Sequence, residues 1–103
     1  MCCISIYFIL KPGDASDFQT YFDEVSESVS ILTEFLKSAG AEFVNVAYMF
    51  GDGKVATGIG TDIIVSPTKI RDILRKISDI LLDVENLVDF GIDVECNSPS
   101  CGD

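Results

Sequence analysis

Apolar and polar positions alternate most densely between Glu42 and Ser66, EFVNVAYMFGDGKVATGIGTDIIVS, which reads as two long strands closed by a tight turn. Gly51-Asp52-Gly53 supplies residues that tolerate positive φ, and Asp-Gly between alternating apolar runs is a strong hairpin signal. Period-2 alternation puts Val44, Val46, Tyr48 and Phe50 on one face of the first strand, as an ordinary core face. On the second strand Val55, Thr57, Ile59, Thr61, Ile63 and Val65 share that role. The opposite face is unusual. It carries Phe43, Asn45, Ala47 and Met49, then Ala56, Gly58, Gly60, Asp62 and Ile64, where a solvated face should be rich in Lys, Glu and Thr. Glycines in a strand mark bulges or places where something approaches the backbone closely. A second subunit, a ligand or a local loop is expected to cover this face.

The flanking segments complete the pattern. Residues 2–10 alternate as a strand with apolar positions on both faces: Ile4, Ile6, Phe8 and Leu10 against Ser5, Tyr7 and Ile9. Such a strand belongs in the middle of a sheet. Lys11-Pro12-Gly13-Asp14 ends it. From Ser16 to Ser38 the steps of four and three through Phe18, Phe22, Val25, Val29, Leu32 and Leu36 define a helix. Ser16 and Gln19 fit a capping box, and Gly40 is a natural stop after Lys37. Ser66-Pro67 opens a second helix with Ser as N-cap and Pro at the first helical position. Its stripe runs through Ile70, Leu74, Ile77, Leu81, Val84 and Val88, widened by Ile73, Ile80 and Leu87. Residues 92–96, IDVEC, read as a short last strand with acids on its outer face, suited to a sheet edge. Residues 1–97 form one domain and 98–103 a polar tail.

Strand, helix, strand, strand, helix, strand resembles the ferredoxin-like βαββαβ arrangement of small α+β domains. That resemblance implies an antiparallel sheet in the order 4-1-3-2, with both helices on one face. It also implies that Cys2 and Cys3 lie near Cys96 and Cys101. Tyr7, Ile9, Phe43, Ala47, Met49, Ala56, Gly58, Gly60 and Ile64 are then left on an open, apolar sheet face. Soluble monomers rarely expose such a patch, so a homodimer is expected to cover it, face to face or by joining strands of two chains into one sheet. Asp62 on that face needs a partner or a place at the rim.

Charge narrows the partners. Seventeen acidic and seven basic residues in 103 give net −10, which repels nucleic-acid phosphate and anionic lipid. Asp23, Glu24, Glu27 and Glu34 fall on the far face of the first helix; Asp79 and Asp83 occupy the second half of the next. They form a candidate surface for a basic protein. No apolar run reaches the ~20 residues of a membrane span, so a cytoplasmic protein is expected. For a cytosolic chain the four cysteines are expected as free thiols, with two disulfides as the alternative in an oxidising compartment or a hyperthermophile. Their spacings of zero and four do not suit a zinc knuckle.

Catalytic chemistry has little to work with. There is no His, so Ser-His and Cys-His nucleophile pairs cannot be built. Gly51-Asp52-Gly53-Lys54 is followed by Val55 and lacks the phosphate-loop spacing; Gly58-Ile59-Gly60 does not open a helix as a dinucleotide fingerprint must. No metal or cofactor is expected. The residues point to a non-enzymatic, acidic, homodimeric protein-interaction module for a basic partner. The alternative is a small-molecule-sensing domain with its ligand at the dimer interface, by fold-level analogy to amino-acid-binding regulatory and PII-like modules.

Overall fold

The computed structural model describes residues 2–11, 18–51 and 53–96. Six elements follow in chain order: β1 (Cys2–Leu10), α1 (Phe18–Ser38), β2 (Ala41–Gly51), β3 (Lys54–Ile63), α2 (Pro67–Leu82) and β4 (Leu87–Cys96). The strands form one antiparallel sheet in the order β2-β3-β1-β4. This is the expected ferredoxin-like topology. The first strand sits in the interior of the sheet, as its two apolar faces require.

Alternation decides what each strand buries. Ile4, Ile6, Phe8 and Leu10 of β1 and Val55, Ile59 and Ile63 of β3 point to the same side. There they meet Val25, Val29, Leu32 and Leu36 of α1 and Ile73, Ile77 and Leu81 of α2 in a single core. Burying a side chain of this size contributes roughly 1.5–3 kcal/mol. Helix α1 packs on β2 and β3, whereas α2 packs on β4. Both helices therefore cover one face of the sheet, and the other is open.

The helix ends are set locally. Gly40 takes φ 109° and its N–H donates to the Lys37 carbonyl at 3.1 Å, the left-handed stop expected after α1. Ser66 precedes α2 in an extended conformation but makes no side-chain cap; its hydroxyl pairs with that of Thr68 at 3.0 Å. The capping box at Ser16 lies outside the described residues.

Three expectations need correction. The apolar stripe of the second helix suggests helix as far as Val88, but α2 ends at Leu82 with Asp83 as its cap. Asn86 then adopts φ 65°, a left-handed conformation that Asn tolerates and that ends the helical path. Its carbonyl accepts from the Lys11 N–H at 3.0 Å, and β4 starts at once. Leu87 and Val88 continue the helical spacing by coincidence, and the last strand begins five residues before Ile92.

The face of β2 expected to be core is only partly so. Val44 packs against the core, but Val46, Tyr48 and Phe50 are 37%, 39% and 47% exposed. As an edge strand, β2 carries its distal half past the helix layer, where the Phe22 ring approaches that of Tyr48 at 6.1 Å. The third correction concerns the thiols. Cys2 stands directly opposite Cys96 in the β1–β4 ladder, and the two form a disulfide. Cys3 is disulfide-bonded as well, so no thiol is free among the described residues.

Candidate interaction surface

The open face is built from every second residue of four strands. One row across the sheet runs Asn45, Gly60, Ser5, Asp93; the next runs Ala47, Gly58, Tyr7, Gly91. Two glycines in adjacent rows of β3 leave a depression between the side chains of β2 and β1. The result is an open trough of about 750 Å³ with a largely apolar lining. A Cβ added at Gly58 or Gly60 would meet nothing within 4 Å, so these glycines are not forced by local packing.

Gly91 differs. Tyr7 stands directly across from it and folds its ring over the bare backbone, so that a Cβ there would lie 2.7 Å from the phenolic oxygen. An aromatic covering a cross-strand glycine is a known way for a sheet to replace the missing side chain. The ring leans toward β4 and away from β3. Tyr7 itself stays 51% exposed, and the trough stays open.

Tyr7, Ile9, Ala47, Met49, Ala56, Gly58 and Gly60 share this face, as the alternation predicts, and Met49 is its most exposed large side chain at 73%. Phe43 stands in a bulge where the β2–β3 register shifts between Ala41 and Val44; its carbonyl accepts the Thr61 hydroxyl at 2.6 Å. Ile64 falls beyond the end of β3, exposed and away from the trough. Gly91 joins the trough unforeseen, because the sequence pattern starts the last strand at Ile92, whereas Asp93 lies within that strand and on its outer face. The alternation of Phe90, Ile92 and Val94 contained the signal. Asp62 is only 4% exposed, and its Oδ1 has no hydrogen-bond partner.

The helix side has the opposite chemistry. Asp23, Glu27, Glu34, Asp79 and Asp83 are all exposed, as expected. Glu24 is the exception. It is half-buried in a cleft between α1 and α2, with Oε2 sealed from solvent and unbonded. Glu27, Asp83 and Glu85 line the same cleft, beside Ile31 and Ile80. Like charges crowded around partly buried apolar groups raise the local negative potential. Among the described residues no group of His, Cys, Asp and Glu is arranged to hold a metal ion, and no helix is long and apolar enough to cross a membrane.

An all-antiparallel βαββαβ sheet with one bare face and two helices packed on the other makes the chain a ferredoxin-like α+β domain. Solved structures agree. The chain is similar to the de novo designed protein Foldit4, with TM-score 0.68 at 12% identity, covering 94% of this chain and 98% of that one. It is similar to the ACT domain from the GTP pyrophosphokinase of Chlorobium tepidum, with TM-score 0.52 at 10% identity over 88% and 96% of the two chains. A dimeric ferredoxin-like protein from an uncultured marine organism matches with TM-score 0.50 at 14% identity over 90% and 92%. At these identities the likeness is one of fold. No protein-family model and no curated protein matches the sequence.

Proposed function

We propose that this chain is a non-enzymatic, acidic, homodimeric interaction module that binds a basic protein, in the manner of an inhibitor, immunity, anti-defence or adaptor protein. The observation that carries this reading is the acid-lined cleft between α1 and α2. Glu24, Glu27, Asp83 and Glu85 meet there with exposed apolar Ile31, a combination suited to a Lys or Arg side chain with its aliphatic stem. The net charge of −10 argues against nucleic acid and anionic membranes as partners. The second copy belongs on the sheet, away from the acid-lined cleft between the helices.

The test is binding of a basic protein at low and high ionic strength, with Glu24→Gln/Glu27→Gln as the variant. Binding that weakens with salt and with the substitutions supports the reading. Equal binding by the variant, or no salt-dependent partner, overturns it. A second reading is favoured by the trough, whose size lies within the range of small-molecule sites. It makes the chain a metabolite sensor, and a thermal-shift screen without a stabilising compound counts against it. We place the protein in the cytoplasm only where a cytoplasm lets the Cys2–Cys96 bridge persist, as in hyperthermophiles; otherwise an oxidising compartment fits it better.

A further inference from the structure

Strand β2 is a sheet edge, and from Val44 to Gly51 it reads VNVAYMFG, with no charged residue and no proline. Edge strands are normally guarded by charge, proline or bulges because their outer N–H and C=O groups template pairing with another chain. Here the one bulge lies before Val44, and pairing with β3 is regular from Val44 to Gly51. Gly51 and Lys54 close the hairpin across two residues. Closing pairs of such loops are hydrogen-bonded, so alternation turns the backbone groups of Val44, Val46 and Tyr48 outward.

We propose that a second copy of this chain docks on β2, antiparallel to its own β2, to give one continuous eight-stranded sheet with the two-fold axis at Ala47. The proposal rests on the homodimer reading above and names the surface that makes it. Charge selects this edge. Two copies each of net −10 repel, and an uncharged eight-residue strand allows contact without setting like charges against each other. Register follows from side chains. An axis at Ala47 sets Val46 opposite the partner's Tyr48 and Asn45 opposite the partner's Met49, with small Ala47 against its own copy. Aromatic residues opposite β-branched ones are favourable cross-strand pairs. On the inner side the same pairing covers Val46 and Tyr48, which the helix layer leaves partly exposed.

The test begins with light scattering on the intact, oxidised protein. A mass of twice 11.2 kDa is expected, with a dissociation constant that falls as salt rises, the reverse of binding to a basic partner. A monomer at all concentrations overturns both the homodimer reading and this inference. In a dimer mixed from labelled and unlabelled chains, filtered NMR should show inter-chain contacts between Val46 and Tyr48. Val46→Pro removes an outward N–H at a position where an edge tolerates proline, and should weaken the dimer at least about tenfold while circular dichroism stays unchanged. A dimer that survives Val46→Pro and lacks the Val46–Tyr48 contacts keeps the homodimer but overturns the edge. If Val46→Pro alters the fold, the inter-chain contacts decide alone.

Discussion

The two edges of this sheet are treated in opposite ways. Strand β4 carries Asp89, Asp93 and Glu95 on the open face and a bulge that leaves Val88 out of register. The Asp89 carboxylate accepts the Phe90 N–H at 2.9 Å beside that bulge, and the strand ends at a cysteine bridged to β1. Charge, irregularity and a covalent staple all oppose pairing with another chain. Strand β2 has a bulge only at its start, and past it eight uncharged residues. One edge is closed and the other is left available. A domain with two available edges would polymerise, whereas one with a single available edge stops at a dimer.

The largest expected effect concerns the staple. Reduction opens the Cys2–Cys96 bridge, which closes a loop of more than ninety residues, together with the disulfide of Cys3, and should lower the unfolding free energy by at least roughly 3–5 kcal/mol. Denaturant titration with and without reductant measures it. Hydrogen exchange should rise first at the Cys96 end of β4, while a dimer joined along β2, as proposed, should persist. Loss of the dimer on reduction would move the joint to β4 and reverse the comparison.

Next in size is the cover that β1 lends to β4. Gly91→Val places a branched side chain where the Tyr7 ring lies, and should cost about 1–3 kcal/mol as the ring is displaced. Adding Tyr7→Ala should recover part of the loss, which a double-mutant cycle reads directly. Additive losses would mean that the ring does not rest on Gly91 in solution. Smaller still, Asp93→Thr/Glu95→Thr removes two of the acids guarding β4. Sedimentation velocity should then show concentration-dependent species larger than the dimer, each lost charge contributing a few tenths of a kcal/mol.

How far these edges could be read from sequence depends on the residue. The core was legible because Ile4, Ile6, Phe8 and Leu10 alternate strictly and Val25, Val29, Leu32 and Leu36 keep helical spacing. The open face was legible for the same reason: Ala47, Gly58 and Gly60 occupy positions where a solvated strand carries polar side chains. Exposure of Val46 and Tyr48 was not legible, since alternation gives the face of a residue but not whether a helix reaches it. The start of β4 was hidden because Leu87 and Val88 also satisfy a helical repeat, and only the backbone of Asn86 separates the readings. The bridge depended on register. Cys2 opposite Cys96 follows from the β1–β4 ladder, which no local pattern specifies.

The smallest expected effect separates edge from face. Gly58 and Gly60 have negative or extended φ and open space above them, so alanine fits either position without strain. Each substitution removes backbone freedom from the unfolded chain and should raise stability by about 0.4–1 kcal/mol. Both also partly fill the floor of the trough. If two copies met face to face, methyl groups on that floor would disturb packing and weaken the dimer. If they meet along β2, the dissociation constant should stay within a factor of about two while the midpoint of unfolding rises. Gly91→Ala, on the same face but under the Tyr7 ring, should instead destabilise. Three glycines that look alike in the sequence thus divide by what stands over them. The side facing β2 is open and the side facing β4 is occupied, the same asymmetry that distinguishes the two edges.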